Sequence, residues 1–248
     1  MGLYQERRYR LGCRDRGLVS FTARVKETDL WITAPRDLTG QAVESILRHR
    51  RGLEQYAHQH PEFLTSLKPL PPDPWAPPLV KAMLAAGSAA GTGPMAAVAG
   101  AIAQAVGLDL ALLAGEVMVE NGGDLYLQST QAITVGLEAG NSPISGRLGL
   151  RIAAESMPLC LGTSSGTVGH SLSLGRADAA TVKAADGALA DATATALGNR
   201  VKSVGDLQAA LDWVCEVPGV LGALIVVGRK LAAWGDMELV PLEPGGQG

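Results

Sequence analysis

Between Lys81 and Asp109 the chain carries no charged residue, and Ala and Gly dominate the stretch. Side chains this small bury little surface singly, so the segment is stabilised only where backbones pack closely. Its length exceeds the roughly 20 residues that a membrane helix requires. Its content argues against insertion: Gly91-Thr92-Gly93-Pro94 interrupts it, and Ser88, Thr92 and Gln104 add polarity. The expectation is therefore two closely packed helices, near 76–90 and 94–107, with no membrane partner. A third Ala-rich helix is expected at 186–198 and a fourth, with Leu207, Ala210, Leu211 and Val214 on one face, at 204–215.

The remaining segments read as strands. Residues 18–34 alternate polar and apolar side chains and are rich in Val, Ile, Thr and aromatics, predicting two strands that turn near Lys26-Glu27. An amphipathic helix follows from Leu38 to about His60, closed by Pro61. The six prolines of residues 68–78 exclude a helix or central strand and make that stretch an extended connection. Further strands are expected near 116–128, 131–138, 148–154, 168–174, 179–184, 219–227, 230–234 and 237–241, with a disordered tail after Pro244. Strand runs separated by helical pairs predict an α+β fold with antiparallel sheets. The residues before 68 offer too thin a core to stand alone, so residues 1–248 read as one domain with the N-terminal hairpin and helix docked on the rest.

A net charge of -3 and a basic run confined to Arg7, Arg8, Arg10, Arg14 and Arg16 do not make a nucleic-acid footprint. The three cysteines, Cys13, Cys160 and Cys215, have no CxxC spacing, which indicates neither a disulfide framework nor a thiolate zinc site. With no apolar leader before Cys13, the expected location is the cytoplasm. Ala-rich helices with few aromatics are compatible with a homodimer without requiring one.

Four segments can carry chemistry. Asn121-Gly122-Gly123-Asp124 lies in an apolar strand pattern, where paired glycines suit either a tight hairpin turn or a close approach by a ligand. Thr163-Ser164-Ser165-Gly166 offers three hydroxyls and a flexible glycine, a candidate anion nest as well as an ordinary loop. His170 follows and can donate a proton or bind phosphate. Gly93 precedes an apolar helix, the setting of an anion site, although the loop lacks both the Walker A and the GxGxxG pattern. Asp191 and Thr195 stand four apart in an Ala-rich helix, projecting two oxygens from one face as a hard cation requires.

In this order the segments resemble the ApbE-like flavin transferase superfamily, and specifically an uncharacterised cytoplasmic branch of it. The matching stretches are Glu27-Thr28-Asp29-Leu30, His60-Pro61-Glu62-Phe63, Gly93-Pro94-Met95-Ala96-Ala97-Val98-Ala99-Gly100, Asn121 to Asp124, Ala177-Asp178-Ala179-Ala180-Thr181-Val182 and Ala190-Asp191-Ala192-Thr193-Ala194-Thr195-Ala196. The resemblance implies a T-fold-like architecture and a Mg-dependent reaction on FAD that transfers its FMN portion. It further implies Mg held by the side chains of Asp191 and Thr195 and the backbone carbonyl of Ala103. Asn121, Gly122, Gly123, Asp124, Thr163, Ser164, Ser165 and Gly166 would line the ligand cleft.

The chain departs from that pattern at two places. Gln104 stands where the transferases carry a lysine, and the segment after His170 is shortened. The expected function is thus binding of a phosphate-bearing small molecule such as a flavin nucleotide (FAD or FMN), with Mg and with cleavage or transfer at the phosphate. Two alternatives stay open: a non-catalytic carrier, and a sulfur-handling role in amino-acid metabolism with Cys160 as its reactive group.

Overall fold

The computed structural model describes residues 17–165 and 175–242. The strands are β1 (Val19–Val25), β2 (Thr28–Ala34), β3 (Val117–Asn121), β4 (Asp124–Gln128), β5 (Ile133–Gly136), β6 (Leu148–Ile152), β7 (Leu159–Ser164), β8 (Ala179–Ala184), β9 (Val220–Val227), β10 (Lys230–Gly235) and β11 (Glu238–Pro241). The helices are α1 (Thr39–Gln59), α2 (Glu62–Thr65), α3 (Pro78–Ala90), α4 (Val98–Ala114), α5 (Gly187–Arg200) and α6 (Leu207–Cys215). One sheet has eight strands in the order β1-β2-β3-β4-β7-β8-β9-β10, and a second has three in the order β11-β6-β5. Every pairing is antiparallel, as in the expected α+β class.

The large sheet is covered on both faces, which is why its central strands are almost uniformly apolar. Leu30, Ile32, Val117, Val119, Tyr126 and Cys160 face helices α1, α3, α4 and α5. Met118, Leu125, Leu127, Leu159 and Leu161 face the small sheet through Ile133, Val135, Leu150 and Ile152. The N-terminal hairpin is part of the large sheet, because β2 pairs with β3 from Leu30↔Asn121 to Thr33↔Met118. The proline-rich connection ends with Pro77 flanking α3 and Pro78 in its first turn, where a missing N–H costs nothing.

Glycine makes the helical layer possible at its tightest points. A Cβ on Gly100 of α4 would lie 2.1 Å from the carbonyl oxygen of Gly187 in α5, and one on Gly187 would lie 2.5 Å from that of Gly100. The run Pro94–Ala114 is, among the described residues, the one helix long and apolar enough to cross a membrane by length and composition, and 44% of its most apolar window is buried. Its first turn, Pro94–Ala97, is a 3-10 helix leading into α4.

Several expectations need correction. The apolar run 116–128 is not one strand: it folds back at Gly122-Gly123, with Asn121 paired to Asp124. Residues 159–164, expected to be loop at their polar end, form the central strand β7. Pro61 does not simply end α1; it flanks the short helix α2. The expected strand at 168–174, the basic N-terminal run with Cys13, and the tail after Pro244 lie outside the described residues.

Candidate functional site

Three of the segments singled out in the sequence meet where α4 and α5 cross the middle of the large sheet. Gly162 of β7 lies under α5: a Cβ there would sit 2.4 Å from the Ala190 carbonyl and 2.6 Å from the Asp191 amide nitrogen. Gly123 lies beside the end of β7, where a Cβ would come within 2.4 Å of the Thr163 carbonyl oxygen. The Asn121 side-chain amide donates to the carbonyl of Ala99 at 3.0 Å. The Asp191 carboxylate accepts from the backbone N–H of Gly100 at 2.9 Å. The turn after β3, the end of β7, the first turn of α4 and the centre of α5 are thereby joined.

Asp191 is the electrostatic centre of this junction. The residue is partly exposed, but its carboxylate is surrounded by protein. Burial raises its pKa to about 7, against the opposing pull of the Gly100 and Ala99 N–H groups. Its position at the start of α4 also places negative charge at a helix N-terminus. Thr195, one turn along α5, is likewise partly exposed. Ala103 is buried within α4, one turn beyond the amide that Asp191 meets.

Gln104 has a role that the sequence did not disclose. Its Oε1 accepts from the Gly187 N–H at 2.7 Å and its Nε2 donates to the Ala185 carbonyl at 3.0 Å. With Asp186 accepting from Leu189 N–H at 2.8 Å, the N-terminus of α5 is occupied by side chains of the protein itself. The arrangement is reciprocal: Asp191 of α5 serves the start of α4, and Gln104 of α4 serves the start of α5. The only sequence signal was a polar residue amid Ala and Gly.

The other expected site residues are more dispersed. Thr163 and Ser164 alternate across β7, so their hydroxyls do not form one nest. Thr163 Oγ1 lies 3.1 Å from Thr181 Oγ1 and borders a crevice toward the small sheet, whereas Ser164 faces α5 beside Gly198. Ser164 Oγ is buried without a hydrogen-bond partner among the described residues. Ser165 follows β7, and Asp124 is buried at the start of β4. Gly122 takes the positive φ of 63° that its turn requires. The close approach that Gly93 permits is taken by the Ser66 carbonyl, 1.7 Å from where a Cβ would stand. Gly166 and His170 lie outside the described residues.

The oxygen donors fit a hard cation better than a soft one. No group of three His, Cys, Asp or Glu side chains forms a metal cluster among the described residues. A cation at Asp191 would therefore rest on one carboxylate with neutral oxygens, a set suited to Mg that retains water and phosphate ligands. The unpartnered Ser164 Oγ stands beside Gly198, nearly two turns along α5 from Asp191, and lies apart from such a cation. The Cys160 alternative is corrected by burial: the thiol is 1% exposed in the helix-facing core, and burial pushes its pKa up, leaving it inert as a nucleophile.

This architecture is shared with solved flavin transferases. The structure titled flavin transferase ApbE from Vibrio cholerae superposes with a TM-score of 0.52 at 12% identity, covering 88% of this chain and 96% of that one. The ApbE protein of Thermotoga maritima gives a TM-score of 0.54 at 12% identity, covering 87% and 96%. The chain thus has an ApbE-like fold. Residues 10–227 match the family described as AbpE bacteria, and the chain belongs to that family. Its relatives include the UPF0280 proteins of Methanocella arvoryzae, 42% identical over 87% of this chain and 88% of the relative, and of Methanocaldococcus jannaschii, 40% identical over 87% and 91%.

Proposed function

We propose that this protein binds a flavin nucleotide together with Mg in the cytoplasm and cleaves or transfers at the nucleotide's phosphate. The observation that carries the reading is the half-buried Asp191, its carboxylate bonded to the Gly100 N–H at the α4–α5 junction and one turn from Thr195. Asp191 and Thr195 would hold the cation through side-chain oxygens, and Ala103 through its backbone carbonyl. Mg, when bound, supplies positive charge next to phosphate oxygens. Gly122, with nothing within 4 Å of where a Cβ would stand, leaves the β3–β4 turn open to a close approach by the ligand. The test is incubation with FAD and Mg, following FMN and AMP. The expected result is release of both by the native protein and at least about a hundredfold less by Asp191→Asn, as for loss of a charge-stabilising group. Turnover undiminished in Asp191→Asn, or FAD neither bound nor cleaved by the native protein, overturns the reading.

One observation favours a carrier as the second reading. Gln104 is neutral and committed to the start of α5, so it offers no cation to a diphosphate. In that case FAD binds in the presence of Mg and is recovered intact.

A further inference from the structure

Away from Asp191, the loop between β5 and β6 and the β9–β10 turn enclose an open depression of about 500 Å³ lined by Pro143, Ile144, Arg147, Leu148 and Arg229. Its size falls within the range of small-molecule sites. Neither arginine makes a salt bridge or side-chain hydrogen bond among the described residues, in a chain whose net charge is -3. Two carboxylates stand in the same walls and are bonded to neutral donors and not to the arginines: Asp178 accepts from the Gly228 N–H at 2.6 Å, and Glu138 accepts from Ser145 Oγ at 3.2 Å.

The two walls are held in register by named bonds. Ser142 Oγ donates to the Gly228 carbonyl at 2.6 Å, linking the β5–β6 loop to the β9–β10 turn. The Arg147 N–H donates to the Ile144 carbonyl at 3.0 Å, while the Arg147 carbonyl accepts from the Leu242 N–H at 2.8 Å. The arginines thus stand on positioned backbone and line the same depression as Pro143, Ile144 and Leu148.

We infer that this depression binds an organic anion with a phosphate group on a flat apolar body, of the nucleoside monophosphate class. Arg147 and Arg229 would take the phosphate oxygens, for which the planar guanidinium is well matched. Pro143, Ile144 and Leu148 would pack against the base. The inference is independent of the flavin reading, since it uses none of the residues at the α4–α5 junction.

AMP, adenosine and inorganic phosphate are to be titrated calorimetrically against the full chain at low salt, with Arg147→Ala/Arg229→Ala in parallel. The expected result is AMP binding in the micromolar to low-millimolar range, stronger than either fragment. The double substitution should weaken it at least about tenfold, the scale of a lost charge-assisted contact. AMP that binds the double variant as well as the native chain, or that fails to bind the native chain, overturns the inference.

Discussion

At single positions, the smallest residues bear the heaviest geometric demands. Gly162 and Gly40 are both glycines, yet only one is irreplaceable by this measure. A Cβ at Gly162 would stand 2.4 Å from the Ala190 carbonyl, whereas Gly40 in α1 has nothing within 4 Å. Gly162→Ala should lower stability by about 3 kcal/mol through forced separation of β7 from α5. Gly40→Ala should raise it by about 0.5 kcal/mol through helix propensity. Urea titrations of the two variants check both signs. The sequence marked Asp191 and Thr195 through their helical spacing, but it held no indication that Gly162 supports that helix. Periodicity reports which face a residue takes; it does not report a contact between segments about thirty residues apart. Thr163 and Ser164 show the complementary error, since adjacent hydroxyls look like one cluster until a strand sends them to opposite faces.

At the level of elements, α1 and α4 are fastened by a polar knot in an otherwise apolar layer. A single oxygen of Asp109 accepts from Ser45 Oγ, from the Arg48 guanidinium and, at 2.8 Å, from His49 Nε2. Serine and histidine both address the aspartate and not each other, so this is a clamp and not a nucleophilic triad. Burial pushes the Asp109 pKa up, but the hydrogen bonds from Ser45 and His49 and the nearby positive charge outweigh it and hold the carboxyl below its ordinary 3.8. The folded state therefore favours the ionised form. That contribution is present above the unfolded pKa and disappears as pH falls through the folded one. Asp109→Asn should cost about 1–3 kcal/mol at neutral pH, with the deficit shrinking as pH falls below 3.8. Denaturant midpoints measured across that range test the sign. The helices α1, α3, α4 and α5 were legible because their apolar or small-residue patterns are long. Strand β7 was not, since it follows Met157-Pro158 and runs into Thr163-Ser164-Ser165, where turn-forming residues mask a buried strand.

Across the whole molecule, the helices and the small sheet compete for no surface: they take opposite faces of the eight-stranded sheet. Alternating strand patterns made the antiparallel class legible, but the division into two sheets depends on pairings such as β11 with β6, far apart in sequence. The attachment of the second sheet includes one charge that burial alone would disfavour. Lys183, in the central strand β8, is 2% exposed and its Nζ donates to Asp236 Oδ2 at 2.6 Å, while Asp236 sits in the connection from β10 to β11 and is 64% exposed. The connection is tightened further at Gly222, where a Cβ would lie 2.9 Å from Met237 Cγ. Asp236 can be hydrated when separated from its partner, but the ammonium of Lys183 cannot. Asp236→Asn should therefore destabilise the fold by about 1–3 kcal/mol, because it strands a buried cation, whereas Lys183→Met should be close to neutral or stabilising. Combining them should remove most of the penalty of Asp236→Asn, since no buried charge is left to compensate. Equilibrium unfolding of both single variants and the double variant tests this. Equal losses for Asp236→Asn and Lys183→Met would instead mean that the pair itself, and not the stranded lysine, governs how the small sheet is held.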